Sequence, residues 1–141
     1  MNVSEIFKSL EKFDTFMNGE ITGNNTLIRN LSAGNKQKVG IIGAMITNPD
    51  VLILDEPFNF LDPSSQLAMK NILEEYNKDY SSPYVLTSLA DWQISMYNDS
   101  TALVYYNEAL DIAPDYTPAL LGKAEVMRVT RRYSEYFENL N

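Results

Sequence analysis

The stretch from Leu31 to Pro63, LSAGNKQKVGIIGAMITNPDVLILDEPFNFLDP, constrains this chain more than any other part of it. Ser32 stands just before a helical pattern in which Val39, Ile42 and Met45 share a face, so it is placed to cap a helix starting near Ala33. Gly34 permits another group to approach the backbone closely. The resulting helix N-terminus, with Ser32, Lys36 and Gln37 beside it, favours an anion such as a phosphate, although the same pattern also serves as an ordinary cap. Asn48-Pro49-Asp50 is expected to end that helix. Val51-Leu52-Ile53-Leu54 then reads as a short strand buried on both faces, with Asp55 and Glu56 at its carboxyl end, where open α/β sheets place their ligands. Adjacent carboxylates there suit a hydrated Mg²⁺ on Asp55 and an attacking water polarised by Glu56, and they suit equally an acidic turn closing a strand.

Taken together, LSAGNKQ, the 24-residue step from Leu31 to Asp55, VLILDEP and NFLDP resemble the signature motif, Walker B strand and D-loop of an ATP-binding cassette (ABC) ATPase, in that family's order. The resemblance implies that Ser32, Gly34 and Gln37 contact ATP held by another subunit. It further implies that Asp55 serves Mg²⁺, that Glu56 is the catalytic base and that Asp62 reaches across a dimer. No Gly-x-x-x-x-Gly-Lys-[Ser/Thr] loop occurs in the sequence to cradle phosphates. The family's glutamine loop would lie before residue 1, and its switch histidine is replaced near Ser88 to Leu89. The resemblance therefore covers about residues 1–88 and implies an enzyme only in company: no cofactor for the isolated chain, and Mg-ATP only with a complementing subunit.

Asp62-Pro63 reads as an N-cap followed by proline in the first turn, opening a helix through about Asn77 with Leu67, Ile72 and Leu73 facing inward. Ser81-Ser82-Pro83 breaks it, and Tyr84-Val85-Leu86-Thr87 is expected to form a second strand. Strand, helix and strand would make a right-handed βαβ unit with a short parallel β pair.

From Leu86 onward another pattern overlaps. Ala102, Tyr106, Ala109 and Pro114 resemble the second helix and closing proline of a tetratricopeptide repeat (TPR), and a period of about 34 residues relates Leu86 to Leu120 and Ala90 to Ala124. Arg131-Arg132-Tyr133, Tyr136 and Leu140 resemble the start of a further unit. Small residues let helices approach, with Tyr97, Tyr106, Tyr133 and Leu140 filling the space between them. Residues 83–88 are strand in one resemblance and helix in the other. The strand is expected there, followed by helices near Leu89–Tyr97, Thr101–Ile112, Thr117–Val129 and Tyr133–Asn139. The expected fold is thus α/β to mainly α: a partial ABC ATPase-like half-domain over 1–88 and antiparallel TPR-like hairpins over 89–141, joined as in a recombined or designed chimera.

Composition narrows the function. Absence of cysteine and histidine removes disulfides, thiol chemistry and the usual general base and metal ligand. A net charge of −8, with neither half basic, argues against nucleic acid. No apolar run is long enough to span a bilayer, and the start, MNVSEIFKSLEKF, is amphipathic, with Ser4 as cap and Ile6, Phe7, Leu10, Phe13 and Met17 on one side of a helix ended by Gly19 before a Gly23-Asn24-Asn25 loop. A cytoplasmic location without direct membrane insertion follows as the expectation. Fewer than about three repeat units are rarely stable alone, so a protein partner or self-association is expected. The leading expectation is a non-catalytic protein-interaction module, within which an acidic mimic of nucleic acid also falls. The alternative is a remnant that lends signature and D-loop residues to ATP hydrolysis by a complete subunit; a stable chain with no evolved partner is the third.

Overall fold

A computed structural model describes residues 6, 9–19, 25–47, 49 and 51–138, with the backbone alone at 132 and 135–138. Regular structure among these residues is helical: α1 (Asp14–Met17), a 3-10 turn (Ile28–Asn30), α2 (Ala33–Met45), α3 (Pro63–Tyr80), α4 (Pro83–Ser95), α5 (Asp99–Ile112) and α6 (Thr117–Glu138). The chain divides into two compact units, Met1–Ile72 and Leu73–Asn141, with the boundary falling within α3.

In the first unit, Phe13, Phe16 and Met17 are buried, and the chain leaves α1 through Asn18 and Gly19, both left-handed at φ 51° and 69°. That is the turn expected of Gly19; Ser4, Phe7, Gly23 and Asn24 lie outside the described residues. Ser32 caps α2 by accepting the Asn35 N–H at 3.1 Å, which satisfies one of the helix's orphan donors. The buried face of α2 is Lys38, Ile41, Ile42 and Met45, at i, i+3, i+4 and i+7. Val39, expected on that face, is half-buried. The helix ends at Met45, and Asn48 and Asp50, expected to end it, lie outside the described residues. Asp62 caps α3 by accepting the Ser65 N–H at 3.2 Å, as its place before Pro63 predicts.

The βαβ unit is absent. Among the described residues there is no strand, and Val51–Leu54 is irregular, with Val51 76% and Ile53 85% exposed and Leu54 alone buried. A strand needs a neighbour to satisfy its N–H and C=O groups, and the segment expected to supply one is helical. Pro83–Thr87 forms the first turn of α4, with Ser82 accepting the Val85 N–H at 3.4 Å and proline just inside the helix. Start signals there outweigh the weak β-propensity of Val85 and Thr87, and the Thr87 hydroxyl donates back to the Pro83 carbonyl at 2.8 Å. The sequence also fits the helix: Val85, Leu86, Leu89, Ala90 and Gln93 fall on one buried face. Leu67 is exposed rather than inward, while Leu73 is fully buried and Ile72 half-buried.

In the second unit, Leu86 and Ala90 of α4, Ala102, Tyr106 and Ala109 of α5, and Ala119 and Val126 of α6 form the core. Alanines bring the helix axes close, and Tyr106 fills the remaining volume. The same close approach continues at Gly122, where a Cβ would run into the Tyr106 ring. Short connections, Met96–Asn98 and Ala113–Tyr116, return the chain from each helix to the next. Two expected helices, Thr117–Val129 and Tyr133–Asn139, are one continuous α6. Tyr97 and Tyr133, expected inside, are 95% and 62% exposed, and Leu140 lies outside the described residues.

Candidate functional site

The residues singled out in Leu31–Pro63 meet along the N-terminal half of α2, where the loop 55–62 lies against it at three levels. At the first level is Gly34, whose missing side chain leaves room for the Phe60 carbonyl; a Cβ there would stand 2.6 Å from that oxygen. Gln37, one turn on, donates from its side-chain amide to the Glu56 carbonyl at 3.4 Å. The third level is Lys38, 1% exposed, whose Nζ lies 3.6 Å from Asp62 Oδ1. Positions 34, 37 and 38 fall on one side of a helix, so a single face seats the whole loop.

Asp62 is the most heavily engaged carboxylate. The Ser64 hydroxyl donates to Oδ2 and the Ser65 hydroxyl to Oδ1, each at 2.5 Å, and the Ser65 N–H adds a third donor. The Ser64 hydroxyl first, then that of Ser65, holds the carboxyl well below the usual carboxylate range, with Lys38 adding to the effect. Ser65 is itself buried, whereas Asp62 is half-exposed, so the cap sits at the edge of the unit's interior.

Glu56 is exposed, sits in the left-handed region at φ 45° and accepts a hydrogen bond from the Asn59 side-chain amide. Phe60, at φ 62°, makes a second left-handed turn that aims its carbonyl at Gly34 and leaves its ring exposed. Asp55 is exposed at the rim of a shallow recess of about 180 Å³ whose walls include Gln37, Gly40, Ile41, Ala44 and Leu54. Ser32 is exposed at the head of α2, its hydroxyl oxygen occupied as the cap.

The structure thus brings Gly34, Gln37, Glu56 and Asp62 together around α2, while Asp55 and Ser32, exposed like Glu56 and Asp62, make no side-chain hydrogen bond to that cluster among the described residues. Among the described residues, no group of three or more acidic, histidine or cysteine side chains is placed to hold a metal ion. Asp55 offers one exposed carboxylate and Glu56 turns to Asn59, so these residues do not by themselves fit a Mg²⁺ site. Sequence reasoning missed Lys38, Asn59 and Phe60. For Lys38 the signal was present: it shares the helical register of Ile41, Ile42 and Met45, and a lysine on a buried face calls for an acidic partner.

Among the described residues, no helix is long and apolar enough to cross a membrane. Residues 2–59 match the ABC transporter family. A phosphate import ATP-binding protein, PstB, of Leifsonia xyli is 40% identical over 72 residues, 51% of this chain and 27% of that protein. An oligopeptide transport ATP-binding protein, AppF, of Bacillus subtilis is 28% identical over 107 residues, 69% of this chain and 32% of that protein. An elongation factor 3 of Gonapodya prolifera is 46% identical over 71 residues, 49% of this chain and 6% of that protein. The chain spans about a third or less of the length of these curated relatives. No solved structure matches it. The N-terminal part of the chain is an ABC transporter ATPase-like segment.

Proposed function

We propose that this chain is an ABC ATPase-like fragment that works by binding protein and does not turn over ATP unaided. The observation that carries this reading is that acidic groups of residues 55–62 are engaged within the chain: Asp62 is held by Ser64, Ser65 and Lys38, and Glu56 by Asn59. Both carboxylates are exposed, but their oxygens already accept hydrogen bonds from neighbouring side chains, and these must be given up before Asp62 reaches across a dimer or Glu56 takes a proton from water. The absence of a phosphate-cradling glycine loop from the sequence supports the same reading, and no cofactor is assigned to the isolated chain. Its C-terminal helices, which resemble part of a tetratricopeptide array in their small-residue spacing, supply the binding surface.

Calorimetric titration of the chain with Mg-ATP tests the proposal. No heat of binding is expected with the chain alone, and tight binding would overturn it.

A second reading has its own observation, the exposure of Ser32 and Lys36 at the head of α2. Those groups are accessible to a nucleotide held by a complete subunit, which is named in the relatives as an ATP-binding protein. Stimulation of an intact nucleotide-binding domain by this chain, lost in Ser32→Arg, would select the trans-acting reading over the first.

A further inference from the structure

Asn18–Gly19 is the one place in the chain where glycine follows asparagine, and the fold presents it at the exit from α1. The Asn18 N–H donates to the Asp14 carbonyl at 2.9 Å, closing the last turn, and the backbone then passes through two left-handed residues in succession. Both are exposed, while Phe16 and Met17 just before them are buried. Gly19 carries no side chain to shield its amide nitrogen. Among the described residues, nothing lies within 4 Å of the place that a Cβ there would take. Water and hydroxide therefore reach both the side-chain amide of Asn18 and the peptide nitrogen that follows it.

We propose that Asn18–Gly19 is a site of spontaneous covalent modification, at which Asn18 converts to aspartate and isoaspartate. Asparagine is among the thermolabile side chains. The Gly19 nitrogen, after losing its proton to hydroxide, attacks Cγ of Asn18. The N–Cγ bond forms as the Cγ–Nδ2 bond breaks, and the side-chain nitrogen takes a proton from water and leaves as ammonia. A second water then opens the five-membered imide at either carbonyl, and the net reaction consumes water and releases ammonia without an oxidant or reductant. Opening at Cγ gives aspartate. Opening at the backbone carbonyl leaves Gly19 bonded to Cγ, which adds a methylene to the main chain in the turn that follows buried Phe16 and Met17. Either product adds a negative charge at the exit from α1 and accumulates with time.

Incubation of the full chain at about 37 °C, followed by peptide mapping with mass spectrometry, tests this. Asn18 is expected to be lost at least about ten-fold faster than any other asparagine, with a gain of about 1 Da shared between aspartate and isoaspartate. Loss in proportion to hydroxide makes it about ten-fold faster at pH 8.5 than at pH 7.5. The folded chain is expected to convert at a rate within about three-fold of that in about 8 M urea. Survival of Asn18 in the folded chain while it converts in urea overturns the proposal, and so does loss spread evenly over the asparagines. Asn18→Ser is expected to abolish the new acidic species seen by ion exchange, and Gly19→Ala to slow its appearance about ten-fold by shielding the nitrogen. An acidic species that persists unchanged in Asn18→Ser, or a wild-type rate in Gly19→Ala, likewise overturns it.

Discussion

Tyr97 shows how a single residue can act against its own fold. Chain reversal after α4 places it at φ 58°, and the Asn98 N–H reaches back to the Gln93 carbonyl at 2.9 Å, the six-to-one bond of a Schellman ending. Glycine is the usual occupant of that place, because a side chain there crowds its own backbone. Tyr97 is almost fully exposed and offers little packing in compensation. Tyr97→Gly is therefore expected to stabilise the second unit by roughly 1 kcal/mol, raising the thermal midpoint by a few degrees; an unchanged or lower midpoint would show that the ring contributes packing of its own. Tyr106 behaves in the opposite way. Burial, and then its hydrogen bond to Asp91, raise its phenol pKa above the ordinary 10.0. A raised folded-state pKa favours the protonated phenol, so this stabilisation is complete below about pH 10 and lost as the pH rises beyond it. Urea unfolding between pH 9 and 11.5 is expected to show falling stability, with a shallower fall in Tyr106→Phe. Tyr105 adds to the slope in the same sense, since burial and then Glu74 raise its pKa too.

At the level of elements, the contact between α2 and the loop 55–62 depends on an absent side chain and a capped carboxylate. Gly34→Ala would set a methyl group against the Phe60 backbone carbonyl, which cannot swing aside as a side-chain tip can. A cost of about 1–3 kcal/mol is expected, measurable by chemical denaturation, with the neighbouring Ala33→Ser as a near-neutral control. Asp62→Ala removes the α3 cap and the partner of buried Lys38 and is expected to cost about 1–2 kcal/mol, while Asp62→Ser restores the cap alone and recovers part of it. Because the folded-state pKa of Asp62 is depressed, its contribution is present above about pH 4 and disappears as the pH falls through the acid range. How much of this was legible in the sequence differs from element to element. The caps Ser32, Asp62 and Ser82 were visible because a cap is a local device: a polar residue, then a helical period. Val51–Leu54 misled because a strand is defined by its neighbours, and an apolar tetrapeptide without one has no ladder to join. Residues 83–87 misled for the converse reason. Their Ser-Pro start signal was read as a break between elements when it was the opening of one. The site itself was half legible: the motif residues could be named, but the grip of Lys38 on Asp62 spans a turn whose path no local pattern specifies.

For the molecule as a whole, the charge balance sets how it responds to its solution. Nineteen acids face eleven bases, and residues 83–116 hold five acids and no base. The exposed Lys78–Glu75 and half-exposed Arg128–Glu125 pairs are surface pairs of the kind that contribute little. Repulsion within the acidic surplus is expected to exceed their attraction. Salt screens repulsion and attraction alike, so the sign of its effect reports which is larger in the folded state. Thermal unfolding at a few micromolar protein, where any association between copies is negligible, is expected to shift upward on going from 20 to 500 mM NaCl. Relief of about 1 kcal/mol of repulsion corresponds to a rise of about 2–4 °C for a chain of this length. A fall over the same range would mean that attractive pairs, Lys38–Asp62 above all, outweigh the acidic surplus. Reversing the exposed Glu108 and Asp111 of α5 to arginine separates the two contributions, because it removes acidic surplus without touching the Lys38–Asp62 pair, and should flatten the salt response while leaving the acid-side loss of stability in place.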